Sequence, residues 1–140
     1  MTRYLSLAEF WYLAEHVTGI DVATLIKASR VGLADSALHA PQAGFGDTDF
    51  YPDVYDKAAV LACRIAWNHP LPDGNKRAAW ACLVLFLDLN EGSWNDEQPD
   101  VDEAVEAMLA VAGREVDEEW LASWLRERVN FKNCAQKPAR

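Results

Sequence analysis

Twelve residues near the middle of the chain, His69-Pro-Leu-Pro-Asp-Gly-Asn-Lys-Arg-Ala-Ala-Trp80, combine a titratable imidazole, a carboxylate, a glycine turn and two cations. Two prolines within three residues exclude regular helix from His69 to Pro72, whereas Ala78, Ala79, Cys82, Leu83, Phe86 and Leu89 recur at helical spacing. The segment therefore reads as a loop entering a helix N-terminus, where backbone N–H groups lack intrahelical partners and the helix dipole is positive. Asp73-Gly74-Asn75 can cap that helix and still leave N–H groups for an anion, and Gly74 allows close backbone approach. Arg77 offers a planar fork for bidentate phosphate contacts, and Lys76 a point charge on a flexible stem. Asp73 suits a Mg²⁺ that keeps several waters and bridges to phosphates. His69 can accept a proton from an incoming hydroxyl. Base, metal ligand and anion cradle within nine residues point to phosphoryl or nucleotidyl transfer.

The elements around this segment read as helices. Ser6 with Glu9 is a capping-box signature for a helix to about Thr18, with Phe10, Leu13, Ala14 and Val17 on its apolar face and Gly19 closing it. Short helices are expected over Asp21–Ser29 and Leu33–Ala40. Pro41 and the run Ala43-Gly-Phe-Gly-Asp-Thr-Asp-Phe50 then break regular structure into a flap, at most a short hairpin. Pro52 suits the first turn of a long helix to Asn68 that buries Val54, Ala58, Leu61, Ala62 and Ile65. The next helix should run from Asn75 to about Asn90, followed by a polar connection to Pro99. Two further amphipathic helices are expected, over Asp102–Ala112 and Asp117–Val129, the last burying Trp120, Leu121, Trp124 and Leu125. Without strand pattern, repeat or linker, residues 1–129 read as a single all-α domain and 130–140 as a flexible tail.

Composition narrows the function classes. Thirteen Lys and Arg against 22 acidic residues give a net charge of −9, which argues against a nucleic-acid surface and makes the Lys76-Arg77 pair conspicuous. Cys63, Cys82 and Cys134 are odd in number, and the first two lie in apolar helical stretches, so neither a disulfide framework nor a zinc site is expected. No apolar run reaches the ~18 residues of a membrane span and no signal-peptide core follows Met1, so a cytoplasmic protein is expected. His16 and His39 have no metal-ligand companions at useful spacing and read as structural. Trp94, in the polar connection, is the tryptophan best placed for a partner contact.

The string His69 to Arg77 resembles the motif of the Fic/Doc (Fido) proteins: His, any residue, Phe, any residue, an acidic residue or Ala, Gly or Ala, Asn, Gly or Lys, Arg. The lysine variant resembles the death-on-curing (Doc) branch. Tyr4-Leu5-Ser6-Leu7-Ala8-Glu9, Leu38-His39-Ala40-Pro41-Gln42, Tyr51-Pro52-Asp53 through Lys57-Ala58-Ala59, and Leu85-Phe86-Leu87-Asp88-Leu89-Asn90 extend the likeness over residues 4 to 92. Two positions depart from the family's pattern. Leu71 stands where a loop-anchoring phenylalanine is usual. Adenylylating members carry Gly at the position of Lys76 and a second arginine at that of Trp80.

The resemblance implies a Fido helical bundle with a central motif loop-helix. It assigns His69 as the catalytic base, Asp73 as the Mg²⁺ ligand, and Gly74, Asn75, Lys76 and Arg77 as the ATP-phosphate cradle. Phe45, Gly46, Asp47, Thr48 and Phe50 would form a flap that docks the target's backbone by strand addition. In the Doc branch ATP is held in the opposite sense, so the implied activity is a toxin kinase that phosphorylates a Ser/Thr hydroxyl of a translation protein, elongation factor Tu, and arrests growth. AMP transfer of the Fic type and a catalytically silent partner-binding module are the alternatives. Some family members carry an inhibitory helix with a Ser or Thr four residues before Glu and a Gly or Asn after it. Here Ser93…Glu97-Gln98 and Ser123…Glu127-Arg128 fail at the last position. Inhibition is then expected from a separate, Phd-like antitoxin chain whose segment folds into a groove near the site.

Overall fold

The structure, a computed structural model, describes residues 1–132. Within them the chain forms seven α-helices and two small antiparallel sheets: α1 Leu7–Thr18, α2 Val22–Ala28, α3 Val31–His39, a 3-10 turn Ala40–Gln42, β1 Gly44–Phe45, β2 Thr48–Asp49, α4 Val54–Asn68, α5 Asn75–Leu89, β3 Gly92–Trp94, α6 Val101–Ala112, α7 Glu118–Arg126 and β4 Val129–Phe131. The mostly helical architecture matches the expected bundle.

Helix α4 is the axis. It is buried along nearly all of its length from Val54 to Ala66 and packs against α3, α5, α6 and α7, as a helix apolar on most sides must. Helix α5 buries Ala78, Ala79, Cys82, Leu83, Phe86 and Leu87, and α1 adds Phe10, Trp11 and Ala14. Burial pushes the Cys63 thiol up to about 12 and raises that of Cys82 as well, so both are packing residues without reactive thiolates. Cys134 lies outside the described residues.

The helix ends are set by local chemistry. The Ser6 hydroxyl accepts from Glu9 N–H at 3.1 Å while the Glu9 carboxylate accepts from Ser6 N–H at 2.8 Å, the reciprocal capping box. Gly19 ends α1 at φ +74°, a conformation that costs glycine little. Asp21, Asp100 and Asp117 cap α2, α6 and α7 through their carboxylates. Asp53 caps α4 in the same way, which places Pro52 just before the helix and corrects its expected seat in the first turn.

Four expectations change. The expected polar connection contains β3, which pairs with β4 in the register Gly92↔Phe131, Ser93↔Asn130, Trp94↔Val129. Residues 130 and 131 thus belong to the folded body, with Val129 and Phe131 buried, and 133–140 of the expected tail lie outside the described residues. Helix α7 stops at Arg126 because the chain turns there into β4. Trp120 is 38% exposed instead of buried: the inward stripe of α7 is Leu121, Ala122, Trp124 and Leu125, and Trp120 stacks on Trp124 at its edge, ring centres 6.5 Å apart.

Candidate active site

The motif loop joins the C-terminus of α4 to the N-terminus of α5. His69 ends α4 in the left-handed region at φ 49°, with its N–H donating to Ile65 O at 3.3 Å. That conformation is uncommon for a residue other than glycine and persists when its surroundings hold it. They do: Pro70 and Leu71 turn into the core, Pro70 O accepts from Arg30 N–H at 2.8 Å, and Asn68 Nδ2 donates to Leu33 O at 3.1 Å. Leu71, at 3% exposure, fills the anchoring position with an aliphatic side chain.

Asn75 has a role that its sequence position did not disclose. The expected capping by Asp73 and Asn75 is absent: Gly74 is the N-cap residue at φ +79°, and no side chain caps the helix. Instead the Asn75 amide turns back across the loop. Its Oδ1 accepts from Leu71 N–H at 2.9 Å, its Nδ2 donates to Leu71 O at 2.9 Å, and Nδ2 also lies 3.5 Å from His69 Nδ1. The paired bonds to one residue fix which way the amide points. One side chain thereby closes the loop and lies beside the histidine.

The uncapped N-terminus of α5 leaves the N–H groups of its first turn for a ligand. Exposed Lys76 and Arg77 stand on that turn. Arg77 Nη1 donates to Val17 O at 2.8 Å, and Nη2 lies 3.9 Å from Asp73 Oδ2. The guanidinium is thus positioned by α1 and the loop while staying accessible. Gly74 is required twice over. Its φ is positive, and a Cβ there would lie 3.1 Å from Thr18 Cγ2 and 3.3 Å from Arg77 Nη2. Asp73, with 86% of its side chain exposed, is free to turn toward a ligand at the same helix end. Among the described residues no three His, Cys, Asp or Glu side chains gather to hold a metal.

The flap residues form a hairpin, with Gly44↔Asp49 and Phe45↔Thr48 paired and Gly46-Asp47 at the turn. Phe45 and Phe50 are 82% and 59% exposed. No hydrogen bond or ion pair among the described residues joins hairpin to motif loop; both attach to α4. Trp80, where the second arginine of adenylylating proteins would fall, is half-buried between Trp94, stacked at 6.0 Å, and Trp124, edge-on at 6.2 Å. Trp94, singled out as a partner contact, stacks on Trp80 and stays half-exposed. Below Lys76 and Arg77 an apolar groove of about 420 Å³ continues along α5 and α6, lined by Val17, Trp80, Val105, Met108 and Leu109 among others.

A helical bundle in which a His-bearing loop feeds an uncapped, doubly cationic helix start defines a class. The chain belongs to the Fic/Doc family, a family of transferase-type enzymes: residues 4–87 match it. Within that family it falls in the Doc toxin branch. It is 43% identical over 111 residues to the Toxin Doc of Mycolicibacterium smegmatis, a match that covers 79% of this chain and 82% of that protein. No helix among the described residues is long and apolar enough to cross a membrane.

Proposed function

We propose that this Doc-branch protein is a toxin kinase that moves the γ-phosphoryl group of ATP to a Ser or Thr hydroxyl of a translation protein, elongation factor Tu being the first candidate. The observation that carries the reading is the uncapped start of α5, with Lys76 and Arg77 beside it and His69 at the other end of the same short loop. The hydroxyl oxygen forms the new bond to phosphorus as the bond to the leaving ADP oxygen breaks, and His69 takes the hydroxyl proton. The α5 N–H groups, Lys76 and Arg77 oppose the charge on the phosphate oxygens, a preorganised arrangement that needs little movement during reaction. The exposed Asp73 carboxylate is the residue that would hold a Mg²⁺, and the ion would supply positive charge against that on the phosphate oxygens.

Transfer of AMP is the less favoured outcome. Trp80 brings no charge to the place from which a second arginine would grip inner phosphates, and its ring is committed to Trp94 and Trp124. The relative's name, Toxin Doc, supports a toxin whose activity a separate antitoxin restrains. We place the antitoxin segment in the groove beside Arg77, where exposed Val101, Val105 and Leu109 offer an apolar stripe. Leu109→Asp should then weaken the toxin–antitoxin complex, and an unchanged complex would move the antitoxin elsewhere.

The deciding experiment is intact-mass analysis of elongation factor Tu, and of a bacterial translation extract, after incubation with the protein and Mg²⁺-ATP. One phosphate should be gained, and His69→Ala should slow the gain roughly a hundredfold to ten-thousandfold, the usual worth of a positioned proton acceptor. A gain of AMP would replace the kinase with a nucleotidyltransferase. No gain on any protein would leave a binding module.

A further inference from the structure

Lys57 is the only charged side chain fully buried among the described residues, at 3% exposure. It lies on α4 three residues after Val54 and four before Leu61, on the face that should be apolar. Burying an ammonium is costly unless it is paired and hydrogen-bonded, so its partners indicate what the charge is for. Nζ donates to Pro41 O at 3.2 Å and lies 3.7 Å from Asp49 Oδ2, with the Tyr4 ring centre 5.5 Å away. Pro41 is in the turn just before β1, and Asp49 is in β2. A single buried charge therefore holds both feet of the flap.

The flap needs an external tether. Two strands of two residues do not form a stable ribbon in water, and both of its phenylalanines point into solvent. Besides the strand pair, Phe50 N–H donates to Ala43 O at 3.0 Å, and Arg64 Nη2 donates to the Tyr51 hydroxyl at 3.2 Å. Lys57, Arg64 and His69 all belong to α4 or its C-cap. The helix that presents the imidazole also carries the groups that fix the hairpin.

We propose that Lys57 is a positioning residue for the protein substrate: its ammonium, bound to Pro41 O and Asp49, sets the flap in register with His69. This rests on the reading of the flap as the target-docking edge. Lys57 touches neither nucleotide nor target in this scheme, so its loss acts on target binding and leaves ATP binding intact.

The test compares Lys57→Met, which keeps length and packing without charge, with Asp49→Ala, which removes the solvent-side partner without replacing any buried side chain. Amide hydrogen exchange is read at Phe50 and over 43–50, with Leu83 and Phe86 of α5 as internal reference. Both variants should exchange about tenfold or more faster across the flap with α5 unchanged. In the transfer assay, KM for elongation factor Tu should rise severalfold while KM for ATP stays within about twofold, since the lost contact affects one substrate only. Unchanged flap exchange in Asp49→Ala, and in Lys57→Met where it folds, overturns the proposal, as does an equal rise in both KM values. Should the wild type transfer nothing to the factor, the exchange result still decides the tether, and the failure belongs to the proposed function alone.

Discussion

The motif loop and the flap hang from the same helix and are held in opposite ways. In the loop, Pro70 and Leu71 enter the core, Asn75 takes both main-chain groups of Leu71, and Arg30 ties down Pro70. Pro70 and Leu71 are thus held by both packing and hydrogen bonds beside His69, which suits chemistry whose rate falls steeply when reacting groups are misplaced. The flap projects exposed phenylalanines and, among the described residues, is fastened at its feet through Lys57 and Arg64, with Phe50 N–H closing the hairpin on Ala43 O. An edge that accepts a partner strand must keep its own hydrogen-bonding groups unpaired. On the proposed function the contrast teaches that the site separates its tasks: the loop that carries His69 is anchored by packing at Pro70 and Leu71, and the edge proposed for recognition is tethered by charge while its surface stays open.

The contrast can be broken from the loop side first, where the largest changes in stability are expected. Leu71→Ala empties a fully packed position and should cost about 2–5 kcal/mol, a large part of the ~5–15 kcal/mol by which a domain is stable. Chemical denaturation should show this as a lower midpoint. Asn75→Ala leaves a main-chain N–H and C=O without partners and should cost about 1–3 kcal/mol. Asn75→Asp keeps the acceptor for Leu71 N–H and should fall between wild type and alanine. If Asn75→Ala melts like wild type, the loop is held by the prolines alone and the double bond to Leu71 is incidental.

Much of this arrangement could be read from residue types, and the limits are physical. Ser6 with Glu9, Gly19, and the apolar spacing over Val54–Ile65 and Ala78–Phe86 each dictate structure within one or two turns, and all are realised. The strand pair β3–β4 escaped because three-residue strands carry no usable period and join segments far apart in the chain. Asn75 read as a cap since its side chain commonly serves there; that it reaches back four residues depends on the left-handed turns at His69 and Gly74. Lys57 left one trace, a cation on an otherwise apolar helical face. Its partners at positions 41 and 49 come within reach only after the chain has folded.

The smallest effect on stability should come with a large one on function, at the flap's tip. Phe45 is 82% exposed, so Phe45→Ser removes almost no buried contact and should leave the unfolding midpoint within ~0.5 kcal/mol of wild type. Serine accepts an extended backbone, so the Phe45↔Thr48 pairing can persist. Exposed aromatic rings at such an edge supply contact area to a partner, and their loss should raise KM for the protein target while the rate at saturating target stays near that of wild type. Steady-state transfer at fixed ATP and varied target measures both. A fall in the saturated rate with KM unchanged would mean that the tip acts on the reacting geometry, and the division of labour between flap and loop would not hold. A change in neither would confine target recognition to the feet of the hairpin, where Lys57 and Arg64 anchor it, and would leave Phe45 as a surface aromatic without a role in docking.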